Sequence, residues 1–205
     1  MRLDPGSTVR PRSLTAVTPV TPVTPVTPIT DGAPVAAVAV PDPERLVHLQ
    51  FRRFAGCPVC HLHLRSVVRR HAEIEAAGIR EVVVFHSAAD ELRPHVADLP
   101  FAVVADPDKR LYAEFGVGSS PRALLSPRAW WPVLRAVAVG TVELLRGRQK
   151  APARTQENGR LGLPADFLIA PDGTVLARSY GEHVDDQWPV EKLLALAEGA
   201  RTVRT

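Results

Sequence analysis

The fold is decided by the stretch Phe51-Arg-Arg-Phe-Ala-Gly-Cys57-Pro58-Val59-Cys60-His61-Leu62-His63-Leu64, which holds both cysteines of the chain. An apolar run leads into it and a helical pattern follows it, so Cys57 is predicted to lie where a strand turns into a helix N-terminus. The free N–H groups and positive dipole end of a helix lower the pKa of a thiol from about 8.5 toward neutrality. Cys57 is therefore the candidate reactive thiolate, and Cys60, deeper in the helix, is its less exposed partner.

Neighbouring residues favour a thiolate at Cys57. Pro58 suits the first helical turn, because its missing N–H would have had no intrahelical partner there. Arg52, Arg53 or His61 could add positive potential near the sulfur. Because side chains alternate along a strand, the two arginines cannot both point at the sulfur.

Two other interpretations of the cysteine pair stay open. The pair could be half of a zinc site, but the chain has no second cysteine pair, and His61 and His63 leave the helix in other directions. The two residues could also be buried structural cysteines. The spacing favours dithiol–disulfide chemistry that uses no metal and no organic cofactor.

Composition indicates the class of protein and its compartment. The 205 residues are 45% hydrophobic and 23% charged, as expected for one globular domain with an appendage. Two cysteines, with no apolar stretch long enough for a signal peptide or a membrane span, predict a reducing cytoplasm and no membrane. The net charge of +3 is spread out and only 5% of residues are aromatic, which does not favour nucleic-acid binding.

Residues 1–32 are predicted to form a disordered arm. From Thr18 to Ile29 the chain repeats Thr-Pro-Val, ending in Thr-Pro-Ile, so every third residue lacks an N–H donor. Such a segment forms neither a helix nor a strand ladder, and it should be dispensable for folding. A solvated tail, or a start assigned upstream of the real domain, is favoured over a partner-binding role.

Residues 33–205 alternate between strand and helix patterns. Strands are predicted at residues 35–40, 46–51, 81–85, 101–105, 165–170 and 174–178. Helices are predicted from Cys57 to a stop at Gly78, at 87–96 with Ser87 as N-cap, at 109–115 after Asp106, and at 189–198. The alternation predicts an α/β fold with a mixed, mostly parallel central sheet flanked by helices.

An insertion at about residues 119–160 interrupts this alternation. It is predicted to hold a helix followed by a polar, basic loop. Trp130, Leu134, Val137 and Leu145 keep helical spacing, which favours a face that docks on the domain. A dimer surface or a lid over the cysteine site remains an alternative.

The order of these motifs resembles the AhpC/TSA superfamily with its thioredoxin-like fold. The residues that carry the resemblance are Phe51-x-Arg53-x-x-Gly56-Cys57-Pro58-x-Cys60, Phe101-Ala-Val-Val-Ala-Asp106-Pro107 and the Phe167 strand with its Pro-Asp-Gly turn. Gly159-x-Leu161-Gly162 and Gly181-Glu182-His183 are similar to the peroxiredoxin-like 2 branch, which is related to selenoprotein L. The resemblance implies that Cys57 attacks the substrate and that Cys60 resolves the product.

Two positions depart from the peroxiredoxin pattern. Phe54 stands where typical peroxiredoxins have a threonine, and Pro164 where they have an arginine; both family residues help to bind and activate peroxide. Their absence favours dithiol exchange over fast peroxide reduction. Pro164 instead resembles the thioredoxin proline beside the cysteines, which predicts a cis bond from Leu163 to Pro164.

The resulting hypothesis is a peroxiredoxin-like antioxidant enzyme, a thiol-disulfide oxidoreductase with a redox-active disulfide. Cys57 and Cys60 are its catalytic residues, and Pro58, Arg53 and Pro164 support them. Its substrate is a peroxide or a disulfide, an external dithiol such as thioredoxin is its electron donor, and a homodimer is an option. The alternatives are a reductase of a lipid endoperoxide and a non-catalytic thioredoxin-fold binding module. An exposed Cys57 with a low pKa would favour the enzyme, and a buried inert pair the module.

Overall fold

The computed structural model describes residues 2–18, 37–119, 127–146, 159 and 161–202. Its strands are β1 (Arg12–Thr15), β2 (Ala37–Val40), β3 (Leu46–Phe51), β4 (Ile79–Phe85), β5 (Ala102–Ala105), β6 (Ala165–Ile169) and β7 (Val175–Tyr180). Its helices are α1 (Pro58–Arg69), α2 (His71–Ala76), α3 (Ala89–Val96), α4 (Arg110–Glu114), α5 (Pro127–Leu145) and α6 (Val190–Thr202).

The central sheet has five strands in the order β5-β4-β3-β6-β7. β3, β4 and β5 are parallel, whereas β6 runs antiparallel to β3 and β7 runs antiparallel to β6. The predicted mixed α/β sheet is confirmed, with its parallel pairing confined to three strands. Phe51 at the end of β3 pairs with Ala165 at the start of β6, so the loop after β3 lies beside the segment that enters β6.

β3 separates two cores, because its side chains alternate between the faces of the sheet. Val47, Leu49 and Phe51 belong to a buried cluster that includes residues of α4 and of the N-terminal segment. His48 and Gln50 point to the other face, where buried side chains of α1, α2, α3 and α6 form a second cluster. The cysteine site belongs to this second face.

The helix predicted after the cysteines is divided into α1 and α2. The division falls at Arg70, whose φ of −116° and ψ of 18° leave the helical region. Leu64, Val67 and Ile74 are buried, which confirms the predicted inward stripe for these residues. Gly78 has a φ of 65°, a left-handed conformation, and ends the helical segment as predicted.

The predictions for two helix starts had different outcomes. The N-cap of α3 is Ala88, so the prediction of Ser87 as N-cap is wrong. The Ser87 hydroxyl instead accepts a hydrogen bond from the Ala55 N–H at 3.0 Å, which holds the loop before Cys57. α4 begins at Arg110, after the predicted start at Asp106-Pro107-Asp108, and the Asp106 carboxylate accepts hydrogen bonds from the N–H groups of residues 110–112 at 2.9 to 3.2 Å.

Residues 2–18 pack on the domain, so the prediction of disorder is wrong for this part of the arm. β1 pairs antiparallel with β2, the short strand predicted before β3. Val9 is 3% exposed and donates its N–H to the hairpin turn between β6 and β7, and the buried Thr18 hydroxyl donates to a backbone carbonyl beside β5. This segment can form a ladder because the triplet prolines begin only at Pro19. Residues 19–36, with most of the repeat, lie outside the described residues.

The insertion contains the predicted helix, α5, but a different face docks. α5 packs against α1, and Ala136 in its middle is 1% exposed. Trp130, Leu134, Val137 and Leu145 are 62%, 61%, 49% and 82% exposed, so their predicted docking is wrong. Apolar residues occur all around this helix, and spacing alone therefore does not select its inner face. The loop predicted after α5 lies largely outside the described residues.

The predicted hairpin is formed by β6 and β7 with the turn Pro171-Asp172-Gly173. Gly173 has a φ of 87°, which glycine adopts without steric cost. A Cβ atom there would come 2.7 Å from the carbonyl oxygen of Val9. The absence of a side chain therefore lets the N-terminal segment lie against the turn.

Within the part of the chain that the structure describes, none of the helices combines the length and the apolar character that crossing a membrane would require.

Candidate active site

The cysteine turn lies between β3 and α1, as predicted. Cys57 is the N-cap of α1 in an extended conformation, and Pro58 occupies the first helical turn. Gly56 has a φ of 74°, a left-handed conformation that lets the strand turn sharply into the helix. The Cys57 carbonyl oxygen accepts the N–H of His61 at 2.9 Å, so the first turn of α1 is closed.

The two thiols lie within hydrogen-bonding distance. The Cys60 thiol donates to Cys57 Sγ at 3.0 Å, and both cysteines are free. Nη1 of Arg53 lies 3.9 Å from the same sulfur, and the guanidinium carbon is 5.3 Å from the centre of the Phe54 ring. The structure thus brings together three of the predicted site residues, Cys57, Cys60 and Arg53.

The two thiols have opposite pKa shifts. Burial raises the pKa of the Cys57 thiol, but the hydrogen bond from Cys60, the Arg53 charge and backbone N–H groups outweigh it and bring the pKa to about 7. Burial and the neighbouring Cys57 thiolate raise the pKa of the Cys60 thiol well above its usual range. A thiolate at Cys57 therefore coexists with a protonated Cys60 near neutral pH.

A recess gives access to the sulfurs. Cys57 and Cys60 are each only 2% exposed, but both line a small recess that opens to solvent. The apolar side chains around the pocket are Leu64, Phe85, Leu92, Val96 and Leu99. His61 also lines it. The recess therefore places apolar side chains next to the two sulfurs.

Arg52 points away from the thiols, although it is adjacent to Arg53. Its Nη2 donates to Asp166 Oδ1 at 2.6 Å and to the Gln50 side chain, and it lies 3.3 Å from Nε2 of His63. Arg52 is 0% exposed. The expectation that only one of the two arginines approaches the sulfur holds, and Arg53 is that residue.

Behind α1, five buried side chains form what we call the ionic cluster. Its members are His48, Gln50, Arg52, Glu81 and Asp166. Nδ1 of His48 lies 2.9 Å from the Glu81 carboxylate, and its Nε2 lies 3.2 Å from the Asp166 carboxylate. Gln50 donates to Glu81 and accepts from Arg52, so it joins the two carboxylate groups of the cluster.

The charges of the ionic cluster balance. Burial lowers the pKa of His48, but the carboxylates of Glu81 and Asp166 outweigh it and raise the pKa to about 9. Burial raises the pKa of Asp166, but Arg52 and His48 outweigh it and hold the pKa well below its usual range. Two cations therefore face two carboxylates at neutral pH, which avoids an uncompensated buried charge.

The ionic cluster is not predicted by the sequence alone. The available signal was the alternation of His48, Gln50 and Arg52, three polar residues at every second position of an apolar stretch. Such spacing places all three on one face of a strand. Because Glu81 and Asp166 lie on other strands, only the order of the strands shows that the five side chains meet.

Pro164 does not have the predicted geometry. The bond from Leu163 to Pro164 is trans, so the prediction of a cis bond is wrong; among the described residues the cis bond precedes Pro41. The extended entry to β6 is held by the Leu163 N–H, which donates to the Gly118 carbonyl oxygen at 3.2 Å. The Pro164 carbonyl oxygen accepts the N–H of Gly181 at 2.9 Å. A supporting role for Pro164 at the thiols stays a prediction.

His63, three residues after Cys60, faces Arg52. Burial and the charge of Arg52 lower the pKa of His63 to about 3, and its Nε2 faces Arg52. In the described ranges, no three His, Cys, Asp or Glu side chains are grouped so that they could hold a metal ion.

Comparison with protein families gives one match. The model of the family described as AhpC/TSA antioxidant enzyme matches residues 66–183, more than half of the chain. The matched segment begins after Cys60, so it includes neither cysteine. A search of curated proteins finds no match.

Solved structures with the same fold include peroxiredoxins. The chain is similar to reduced 2-Cys peroxiredoxin of Plasmodium vivax, with a TM-score of 0.64, 10% identity and coverage of 97% of this chain and 82% of that chain. It is similar to AhpC of Mycobacterium tuberculosis, with a TM-score of 0.64, 13% identity and coverage of 99% and 96%. A putative thiol:disulfide interchange protein DsbE of Chlorobium tepidum gives a TM-score of 0.53, 18% identity and coverage of 95% and 99%. At these identities the likeness confirms the predicted thioredoxin-like fold alone.

Proposed function

Because the chain belongs to the AhpC/TSA antioxidant enzyme family, we propose that it is a thiol oxidoreductase that reduces peroxides or disulfides through Cys57 and Cys60. One observation carries the proposal: the Cys57 sulfur, with a pKa of about 7, lies 3.0 Å from the Cys60 sulfur and 3.9 Å from an Arg53 nitrogen. An activated thiol with a second thiol at its side is the arrangement that reversible oxidation needs.

With a peroxide, the Cys57 thiolate attacks one oxygen and the O–O bond breaks. The sulfur becomes a sulfenic acid, and the departing oxygen takes up a proton and leaves as an alcohol or water. The Cys60 sulfur then attacks the sulfenic sulfur, an S–S bond forms and water leaves. Burial is the largest cause of the raised pKa of Cys60 and stays in place, whereas oxidation of Cys57 removes its negative charge and with it a second cause.

With a disulfide, the Cys57 thiolate attacks one sulfur, and a mixed disulfide forms as the other sulfur leaves as a thiol. Cys60 attacks the Cys57 sulfur and releases the second thiol of the substrate. Both routes end in a Cys57–Cys60 disulfide, which an external dithiol such as thioredoxin reduces while it is itself oxidised. A reducing cytoplasm would supply such a donor.

Arg53 is the residue that we assign to activation of Cys57. The position that holds an arginine in typical peroxiredoxins is Pro164 in this chain, and Phe54 stands in place of their threonine. Arg53 supplies a guanidinium 3.9 Å from the Cys57 sulfur. Its charge lowers the pKa of Cys57.

The second candidate is a reductase of a lipid endoperoxide. Leu64, Phe85 and Leu92 line the recess next to the thiols, and their apolar surface would favour contact with an organic hydroperoxide or a lipid endoperoxide over hydrogen peroxide. The recess admits only about two water-sized molecules, so a bulky substrate requires it to widen. The non-catalytic binding module is supported by the 2% exposure of each thiol. The lowered pKa of Cys57 argues against an inert pair.

The test is turnover with several substrates and donors. Consumption of hydrogen peroxide, an organic hydroperoxide and a small disulfide would be followed with thioredoxin, glutaredoxin or a small dithiol as reductant. We expect Cys57→Ser to abolish turnover and Cys60→Ser to accumulate sulfenic acid or mixed disulfide. If no substrate is consumed with any donor, and Cys57 resists alkylation near neutral pH, the binding module is the better description.

A further inference from the structure

Helix α5 presents a continuous apolar surface away from the domain. We call this surface the outer face of α5; its large side chains are Trp130, Trp131, Leu134, Val137, Val142, Leu144 and Leu145. They are 44% to 82% exposed. Ala136, on the opposite side, is buried against the domain at 1% exposure. α5 therefore contacts the domain through a small residue, and its large apolar side chains are exposed.

The outer face carries no charged side chain among the residues that the structure describes. At about 100° per residue, its apolar residues together with Ala138 and Thr141 span roughly 160° of the helix. Arg135 lies at the edge of this sector, on the side where its charge acts on Asp185. A sector of this width without a charge is unusual for a helix surface that faces only water.

The area is that of a specific interface. The exposed parts of two tryptophans and five aliphatic side chains amount to something on the order of 800 Å². Monomers seldom expose a contiguous apolar patch of more than a few hundred Å². A stable pairwise interface buries about 800 Å² on each partner.

We propose that the outer face of α5 is the contact surface of a symmetric dimer, with the α5 helix of a second copy of this chain as its occupant. The face is self-complementary when the two helices run antiparallel. Small Ala138 and Thr141 at the centre permit close approach on the two-fold axis. Trp130 and Trp131 at one end then pack against Leu144 and Leu145 of the other copy.

The absence of charge favours a second copy over other occupants. An acidic or basic partner would find no complementary charge on the outer face. A helix that binds a membrane surface is usually rich in Lys and Arg beside its apolar face, whereas the structure describes only two such cations here, Arg135 and Arg146. Because Ala138 and Thr141 are small, two copies of α5 can cross near them, with the bulky side chains filling the space on either side of the crossing.

The first test is the mass of the full chain in solution. Sedimentation or light scattering over a concentration series should give a dimer at protein concentrations on the order of 10 μM, since interfaces of this size bind in the micromolar range or more tightly. Ala138→Glu places two like charges near the axis and should raise the dissociation constant at least about tenfold. Ala195→Glu, the same change at an exposed alanine of α6, should leave it unchanged.

The second test locates the contact. Ala138→Cys in a chain with Cys57→Ser and Cys60→Ser should form a covalent dimer on mild oxidation, because the two new thiols face each other across the axis. Ala195→Cys in the same background should not. A monomer at every concentration overturns the proposal. A dimer that Ala138→Glu leaves intact also overturns it.

Two further measurements identify a different occupant. If the chain is monomeric but acrylamide fails to quench the fluorescence of Trp130 and Trp131, another segment of the same chain covers the face. If the monomer binds anionic phospholipid vesicles and Trp131→Glu abolishes this binding, the occupant is a membrane. Either result would overturn the proposed dimer, because a different occupant would cover the outer face of α5.

Discussion

The cysteine turn and the ionic cluster lie on the same face of the sheet, and two adjacent arginines contribute one positive charge to each. The two regions differ in whether the partner of that arginine keeps its charge. In the cluster, Arg52 has a fixed partner in Asp166 at 2.6 Å. At the turn, Arg53 lies 3.9 Å from a sulfur whose charge is gained or lost near neutral pH. The first region binds its charges permanently, and the second keeps one charge available. We infer that Arg52 maintains the structure and Arg53 the chemistry.

The largest expected effect is on the free energy of unfolding, which should fall more when Arg52 is replaced than when Arg53 is replaced. Arg52→Met keeps much of the side-chain volume but leaves Asp166 with one cation fewer, and loss of one partner from a buried ion pair lowers the free energy of unfolding by about 3–5 kcal/mol. The pKa of Cys57 should not change. Urea unfolding measures the first quantity, and the pH dependence of alkylation measures the second.

Arg53→Met is the matched control for Arg52→Met, since the same substitution is made one residue later. Its free energy of unfolding should fall by less than that of Arg52→Met, because the charge that Arg53 faces at Cys57 can be neutralised by protonation of the sulfur. Equal destabilisation by the two substitutions would contradict the division of roles.

The next effect is a pair of opposite pH dependences. The pKa of His48 is raised to about 9 in the folded chain, so its stabilisation is complete below about pH 6.5 and is lost as the pH rises through 9. The pKa of Cys57 is lowered to about 7, so its stabilisation is present above about pH 9 and is lost as the pH falls through 7. As the pH rises from 7 to 9, the contribution of His48 to the free energy of unfolding falls and that of Cys57 rises. Each contribution changes by something on the order of 2–3 kcal/mol at most.

Single substitutions at His48 and Cys57 separate the two pH dependences of the free energy of unfolding. His48→Gln should leave a stability that rises from pH 7 to 9, whereas Cys57→Ser should leave one that falls. Chemical unfolding of each variant at several pH values in this window measures both. Identical slopes in the two variants would show that neither group titrates as its surroundings indicate.

The cysteine turn could be predicted from sequence because its determinants are local. A strand, Gly56, a cysteine and Pro58 follow one another, and the conformation of each depends on its immediate neighbours. The alternation of strands and helices is equally local. The hairpin whose turn contains Gly173 and the helix start that follows Asp106 are predictable for the same reason.

The other features depend on contacts between distant parts of the chain. Polar residues of β3 become an ionic cluster only because Glu81 and Asp166 arrive on neighbouring strands. Residues 2–18 are ordered because β2 and the hairpin turn supply partners that the composition of the arm does not show. The inner face of α5 is chosen by the surface of α1, which fits Ala136 better than a tryptophan.

Removal of the second thiol should have a smaller effect that is confined to the cysteine turn. Cys60→Ala deletes the donor of the hydrogen bond to Cys57, which is the largest influence that lowers its pKa, and the pKa should rise by more than about one unit. Cys60→Ser keeps a hydroxyl donor and should raise it less. The rate of Cys57 alkylation against pH measures both variants. If the two pKa values coincide, the hydrogen bond between the thiols does not activate Cys57.

The smallest expected effect is the change in the pKa of Cys57 when the charge of Arg53 is removed. A guanidinium 3.9 Å from the sulfur acts through its charge and ranks after the Cys60 hydrogen bond among the influences that lower the pKa of Cys57. Arg53→Met should therefore raise this pKa by about one unit or less, and Arg53→Lys, which keeps a positive charge, by only part of that. The ultraviolet absorbance of the Cys57 thiolate in a Cys60→Ser background would follow the titration without a competing thiol. Arg52→Met in the same background is the reference, and a pKa shift at Cys57 as large as that of Arg53→Met would mean that the two regions do not act independently.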